Sequence, residues 1–534
     1  MTLPAAMEFI KLDHPTLGVV EGIKKSPCIH QYLGLKYAEI PHRFSEPVPH
    51  TPKNVSAVSY GPQAPQGPDT CEGEFKLIGS RLPLGNEVNL TSEAECLTLN
   101  ITVPTSQDKS YKDLPVLVLV HGGNLQLGSA SWPQYNLGHI VSASDKMGKP
   151  IVGVSINYRV GVLGFLTSTE MLKVGHAGNY GYKDLVAAFG WIQRHIHGFG
   201  GNPDNITAIG ESAGAAAVTT LLWQEEPLFN QLIAMGGSCC LIPPASMETH
   251  DSIFEKAMDL LGLSEEPFEK QLATILEMPV EDLVSQTFQV VPALPAVDRI
   301  FLPKAHGIFC LSDPEDISIP GKLWCKSMII GDSKDDGVIM GLGILAANRA
   351  ASIPTTFPAH FEKSFLSDPE DLALIKEHYG IESDTPSSHA FDTLLQMSSD
   401  ICFLAPTHYL AAGFPGKSYV YHFNYKNPWS GLWGGKASHI LDIAVALGNY
   451  NDNGLDSAGV EVSKEMQKSF IDFANGEEPW EQFQEIGTGP LKVFSNSGGK
   501  TVTSLDEAER YSLLFDLLEN VGWSKWWTAL TTYL

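Results

Sequence analysis

Several large classes of protein are marked by features this chain lacks. No window of its 534 residues approaches the roughly 18 consecutive apolar residues that a membrane-spanning helix requires, so none is expected. Basic residues are scarce: 35 Lys and Arg stand against 61 Asp and Glu, a formal net charge of −26. That balance argues against nucleic acid as a partner, because phosphate neutralisation needs clustered Lys and Arg, and it disfavours anionic membrane surfaces. It favours cationic ligands slightly, and its plainest meaning is solubility. Eight cysteines are too few for a disulfide framework. There is no repeat, no low-complexity tract and no long charge run. The first residues, M-T-L-P-A-A-M-E-F-I-K-L-D-H-P, show no basic start followed by an apolar stretch. A secretory signal is therefore not expected, and the chain is placed in the cytoplasm unless a leader has been removed. Sequons at Asn54, Asn89, Asn100 and Asn205 are about as many as chance supplies.

What is present reads as a large α/β domain. L-P-V-L-V-L-V-H-G-G (114–123) is an unbroken apolar run ending in glycines, as expected of a strand buried on both faces of a mostly parallel sheet. K-P-I-V-G-V-S-I-N-Y-R (149–159) is a second such run, and 326–331 and 417–425 are later strand candidates. Over 182–197, Leu185, Ala188, Trp191, Ile192 and His195 recur at helical spacing and predict a helix facing a core. Strands alternating with helices predict a doubly wound sheet. Residues 250–320 and 340–400 read as helices and acidic loops, expected to be insertions around the mouth of a site. No linker is evident, so a single domain over 1–534 is expected. The C-terminal S-L-L-F-D-L-L-E-N-V-G-W-S-K-W-W predicts an amphipathic helix packed on its own domain, with a homodimer contact as the alternative to a monomer.

The chemistry centres on A-I-G-E-S-A-G-A-A-A-V (208–218). G-x-S-x-G, here Gly210 to Gly214, is the pattern of a nucleophile elbow. In that turn a strand ends, the serine rises to the apex in a strained conformation, and a helix starts at once. A β-carbon at either glycine would strike the neighbouring strand or helix. I-T-A-I-G supplies the entering strand and the alanine-rich run the helix, so Ser212 is the candidate nucleophile. An activated serine needs a base, and the base needs an orienting acid. Chemistry in open α/β sheets gathers at the carboxyl ends of strands. His439 follows the 417–425 strand in G-G-K-A-S-H-I-L-D-I-A, and Asp332, Asp335 and Asp336 follow the 326–331 strand. The order Ser…Asp…His suits a hydrolase of this architecture. The backbone N–H of Ala213 and the turn H-G-G-N-L (121–125) offer donors for an oxyanion.

Taken in order, these motifs resemble the type-B carboxylesterase/lipase family, which includes cholinesterases and many fungal esterases. The resemblance rests on L-G-L-K-Y-A-E-I-P-H-R-F-S-E-P (33–47), E-C-L-T-L-N-I-T-V-P (95–104), N-Y-R-V-G-V-L-G-F (157–165), G-N-Y-G-Y-K-D (178–184) and F-G-G-N-P-D-N-I-T-A-I-G-E-S-A-G (199–214). It implies an α/β-hydrolase fold and a serine hydrolase of carboxylic esters that needs no cofactor and no metal. It implies Ser212 as nucleophile, His439 as base and then acid, and Asp336 as orienting carboxylate in preference to Asp335. Gly123, Asn124 and Ala213 would donate to the oxyanion, Glu211 and Asp442 would support the site from behind, and Cys71 and Cys96 would form a disulfide, at odds with a reducing cytoplasm.

The departures are specific. Aspartate stands where the family usually has glutamate, so its loop must come closer. The third glycine of the oxyanion loop is Asn124, and Leu125 replaces the usual aromatic residue. Ala94 replaces the glutamate that often pairs with the early arginine, here Arg43, so that salt bridge is expected to be missing. The segment between Cys71 and Cys96 has Phe75 but no Trp, which speaks against choline esters. Besides ester hydrolysis, the residues allow acyl transfer to an alcohol or amine, including lactone formation or opening. A non-catalytic binding protein on a hydrolase fold is the alternative of another class. Phe288, Phe301, Phe309, Phe357 and Phe403 are candidates to line the acyl and alcohol pockets, with a core role for each as the plainer reading.

Overall fold

The computed structural model describes residues 8–85, 89–105, 111–304, 307–380, 382, 384–510 and 513–534, with the side chains of 309 and 310 left aside. The N-terminal residues 1–7 lie outside it. Its centre is a 13-stranded sheet. In chain order its principal strands are β1 (Glu8–His14), β2 (Gly18–Ser26), β3 (Ile29–Lys36), β4 (Thr98–Pro104), β5 (Leu114–Val120), β6 (Val152–Ile156), β7 (Gly201–Glu211), β8 (Gln231–Met235), β9 (Ser327–Ser333), β10 (Lys417–Phe423), β11 (Thr488–Ser495) and β12 (Gly498–Ser504). In space they run β1-β2-β3-β4-β6-β5-β7-β8-β9-β10-β11-β12, and a short strand, Val55–Ser56, pairs with β2. From β6 through β11 all pairs are parallel; β1 to β4 and β12 add antiparallel margins. The strand order reverses between β6 and β7, with β5 in the middle.

The composition of the central strands explains their place. In β5, Val116 through Val120 are buried without exception, and β6, β8 and β9 are buried along their whole length. Only strands covered on both faces can carry such runs. The sheet therefore has apolar layers on both sides, one containing Val118, Ile192 and Leu222, the other Leu119, Ile209 and Phe470. The helix expected over 182–197 is Tyr180–His195, and Leu185, Ala188, Trp191, Ile192 and His195 are all buried. The strand expectations hold at their centres and shift by a few residues at their ends.

Two stretches of helices stand between neighbouring strands of the sheet. Between β8 and β9 come helices Met247–Leu260, Phe268–Glu277 and Val280–Thr287; between β9 and β10 come Val338–Ala346, Ile353–Ser364, Pro369–Tyr379 and Ser387–Ser399. The C-terminal amphipathic segment is two helices, Leu514–Val521 and Trp523–Tyr533, broken at Gly522, whose φ of 83° a continuous helix does not allow. Both bury their apolar faces on the domain. Among the described residues no single helix is long and apolar enough to cross a membrane.

Two expectations are corrected. Cys71 and Cys96 are free thiols. Cys71 faces Gln134 from helix Thr70–Ile78 in one apolar layer, and Cys96 sits in the other, near Tyr37 and Arg159. The sheet's two layers thus hold them apart, and burial pushes both thiols up to about 12. Arg43, expected to lack its partner, has one. Its Nε and Nη2 donate to the two carboxylate oxygens of Glu93, at 2.6 and 2.8 Å. The acid has moved by one residue from Ala94, and the loop accommodates the shift.

Candidate functional site

Ser212 sits between β7 and helix Ala213–Thr220 with φ 56° and ψ −122°. A non-glycine residue rarely holds such a backbone, and its surroundings enforce it. The Ser212 N–H donates to the Met235 carbonyl at the end of β8 (2.9 Å), and the Ser212 carbonyl accepts from Ala216 N–H (2.9 Å). The glycines on either side are required by space. A Cβ on Gly210 would lie 2.2 Å from the Gly214 carbonyl oxygen, and one on Gly214 would lie 2.2 Å from that of Val120. Helix and strand can approach this closely only without side chains. The serine side chain is left half-buried at the carboxyl edge of the sheet.

Asp336 and His439 arrive from the second and third strands beyond β7, which are β9 and β10. β9 and β10 run parallel with Asp332 opposite His422 and Ser333 opposite Phe423. Beyond them the two loops are fastened together. Lys334 N–H donates to the Phe423 carbonyl, Asp335 N–H to the Ala437 carbonyl, and Ala437 N–H returns a bond to the Asp335 carboxylate (2.8 Å). Asp335 thus clamps the histidine loop and does not meet the imidazole. Asp336 does: its Oδ1 is 2.7 Å from His439 Nδ1, while its Oδ2 accepts from Ser333 N–H at 2.6 Å. His439 Nε2 is 2.8 Å from Ser212 Oγ. Asp332 lies elsewhere, paired with His422 and 3.5 Å from Arg510. Of the three aspartates left open by the sequence, only Asp336 completes the chain from Ser212.

Behind His439 the site is rich in buried carboxyls. Glu211 Oε1 lies 3.4 Å from His439 Nε2 and has no hydrogen-bond partner among the described residues. Asp442 accepts from Tyr421 Oη–H (2.7 Å), and Glu74, on helix Thr70–Ile78, accepts from the Gln134 amide (2.8 Å). Burial, with like charge on Asp442, Glu74 and Asp336, holds Glu211 well above the usual carboxylate range. Burial likewise pushes Asp442 and Glu74 up to about 7. So many carboxyls cannot all ionise in a low-dielectric space, and protons stay with Glu211 and its neighbours. Burial also raises Asp336, opposed by its bond to His439. Glu74 escaped sequence reading, because nothing in C-E-G-E-F tells which glutamate turns inward.

The turn after β5 completes the surroundings. Gly123, Asn124 and Leu125 all have positive φ, and among the described residues the N–H groups of Gly123, Asn124 and Ala213 meet no acceptor within the protein. The turn is rigidly built. His121 Nδ1–H donates to the Gly122 carbonyl, Tyr158 Oη–H to the His121 carbonyl (3.0 Å), and the Gln66 amide bonds both ways with Gly128. Burial lowers His121 to about 4, so it stays neutral. A Cβ on Gly122 would lie 2.8 Å from both Glu211 O and Oε2, which places the turn directly against the elbow. Asn124 is exposed and Leu125 buried. Of the candidate phenylalanines, Phe403 stands against His439, with ring centroids 5.4 Å apart. Phe357 belongs to the core beside Phe361 and Tyr533, and Phe288 lies over Gly67. The Phe309 side chain lies outside the described residues.

Residues 10–511 match the model of the carboxylesterase family. The chain belongs to that family. Lipase 3 of Yarrowia lipolytica is 28% identical to this carboxylesterase over 494 residues, covering 88% of this chain and 90% of that one. Lipase 2 of Diutina rugosa is 30% identical over 389 residues, 68% of each chain. Among solved structures, a carboxylesterase of Geobacillus stearothermophilus superposes with a TM-score of 0.73 at 25% identity, covering 94% of this chain and 99% of that one. A PNB esterase gives the same TM-score at 23% identity over 95% and 99%. The α/β-hydrolase fold and an enzyme of the carboxylic ester hydrolase class follow for this carboxylesterase.

Proposed function

We propose that this carboxylesterase cleaves small-molecule carboxylic esters through an acyl-enzyme on Ser212. The observation that carries the reading is the unbroken chain Ser212 Oγ, His439 Nε2, His439 Nδ1, Asp336 Oδ1, with steps of 2.8 and 2.7 Å, raised on a strained elbow. His439 Nε2 takes the hydroxyl proton as Oγ attacks the ester carbonyl carbon. The carbonyl oxygen becomes an oxyanion, received by the N–H groups of Gly123, Asn124 and Ala213, which have no other partner among the described residues. Their use requires no reorganisation at the moment of reaction. Asp336 holds the Nδ1–H, keeps the ring in the tautomer whose Nε2 is basic, and stabilises the imidazolium. Collapse of the intermediate breaks the bond to the alcohol, which leaves with the Nε2 proton. Water then enters, loses a proton to Nε2 and bonds to the acyl carbon; the bond to Ser212 Oγ breaks, Oγ recovers the proton from Nε2, and the acid leaves.

The test is hydrolysis of p-nitrophenyl esters from acetate to long acyl chains by the wild type and Ser212→Ala. The expected result is turnover that falls by a factor on the order of 10⁴ or more in the variant. An acyl-chain optimum would then measure the pocket. Turnover surviving in the variant overturns the reading.

A further inference from the structure

Beneath the Ser212 site lies a second histidine–carboxylate arrangement that the reaction above does not use. Asp332 and His422 are cross-strand neighbours at the ends of β9 and β10, both fully buried. His422 Nδ1–H donates to Asp332 Oδ1. His422 Nε2 is 3.3 Å from Nε2 of His408, on helix Ala405–Ala412. Gly487 N–H donates to His408 Nδ1 at 3.3 Å. These contacts define both tautomers. His408 accepts at Nδ1, so its proton sits on Nε2 and is donated to His422, which passes its own Nδ1–H to Asp332. Arg510 closes the group, with Nη2 3.5 Å from Asp332 and Nη1 donating to Asn424 Oδ1 at 2.7 Å.

A cross-strand apolar pair would stabilise this part of the sheet at least as well, because burying charges costs several kcal/mol before pairing returns any of it. The placement points to another role. Asp332 is the residue before Ser333, whose N–H holds Asp336 Oδ2, and its charge bears directly on Asp336. The peptide linking Ser333 to Lys334 is tied to β10 immediately after His422. The helix carrying His408 continues from Asp400–Leu404, which sets Phe403 against His439. One cluster therefore touches all three segments that deliver Asp336, His439 and the ring beside it. Burial lowers both His422 and His408, so both rings are neutral, and Asp332 is held below the usual range by Arg510 and the histidines against the cost of its own burial.

We propose that Asp332, His422 and His408, with Arg510, are positioning residues that hold the Asp336 loop and set the charge behind the Ser212–His439 pair. This rests on the reading of Ser212, His439 and Asp336 given above.

The test compares Asp332→Asn, Arg510→Gln and the double variant by the pH dependence of kcat/KM for a neutral ester. The other ionisable groups facing the pair and the cluster among the described residues include Glu211, Asp442, Glu74 and Asp335 with Lys436 near His439, Asp400 and Tyr421 near Asp332, and Glu509 near Arg510; all are retained in these variants. Asp332→Asn leaves Arg510 unopposed, which disfavours the imidazolium and moves the acid limb down by about half a pH unit. Arg510→Gln moves it up by a similar amount, and the double variant returns it to the wild-type position. A merely structural cluster would lower kcat in both single variants with no opposed displacement, and that result overturns the proposal. Should one variant fail to fold, the other decides alone by the direction in which its acid limb moves, an unmoved limb overturning the proposal, and ¹⁵N spectra of histidine-labelled wild type check the tautomers. Two neutral rings at pH 7, protonated at Nδ1 in His422 and at Nε2 in His408, are expected, and any other pair of states overturns it. Ser212→Ala run in parallel separates the two claims: its loss of turnover sustains the site whatever the cluster variants do.

Discussion

At the scale of single residues, the site works by keeping ionisable groups out of their ordinary states. Glu74 shows the cost. Its carboxyl is buried beside Glu211, Tyr450 and His439, with Gln134 and Tyr135 as hydrogen-bond donors. A folded-state pKa raised to about 7 means that folding favours the protonated form. The stability this contributes is complete below the unfolded value of 4.5 and is lost as pH rises through about 7. Keeping the ionised form buried at pH 8 costs about 3 kcal/mol by that shift. Glu74→Gln, which retains an acceptor for Gln134, is expected to leave stability at pH 4 unchanged and to raise it at pH 8. Denaturant unfolding at both values checks this; an equal effect at both would mean that the carboxyl does not titrate in this window.

At the scale of elements, loops are tied to the sheet by a few strong donors. Arg43 is the main example in the first insertion. Besides its fork onto Glu93, its Nη1 donates to the carbonyls of Ile275 (2.6 Å) and Met278 (2.8 Å) at the end of helix Phe268–Glu277. A cation there satisfies carbonyls that have no partner within the helix and opposes the negative end of its dipole. Arg43→Ala removes four bonds from a nearly buried position and leaves Glu93 unpaired, so a loss of about 3 kcal/mol is expected. Because the helix lies in an insertion, the loss is expected first as local opening. Limited proteolysis near residues 261–280 should quicken before global unfolding shifts, and unchanged proteolysis would assign Arg43 to the core instead.

At the scale of the whole molecule, a net charge of −26 surrounds a site whose nucleophile is only half-buried. A field of that sign concentrates cations and repels anions before any contact forms. For a matched pair of esters, kcat/KM for the cationic one is expected to fall about two- to fivefold between 10 and 200 mM salt, and for the anionic one to rise. Equal responses would show that the charge is spread too evenly to act at the site. The sheet order was legible at this scale only in class. Apolar runs announced buried parallel strands, but the run at 149–159 carries nothing that seats it between β4 and β5, a choice made by the packing of the layers.

What the sequence determined by itself is local. Gly210 and Gly214 flank Ser212 because two backbones must meet there, a requirement visible in five residues. The helix Tyr180–His195 was visible in its 3.6-residue period, and His439 in a glycine-rich loop after a strand. Tertiary structure alone decided matters of distance. Asp332, Asp335 and Asp336 are chemically alike and lie within five residues, and only the register of β9 on β10 sends the first to His422, the second to Ala437 and the third to His439. Cys71 and Cys96 stay apart because they belong to different layers of the sheet. Arg43 found Glu93 because a loop can shift by one residue where a strand cannot. Sequence carries the period and the turn; which side chains meet across long separations depends on how the layers pack.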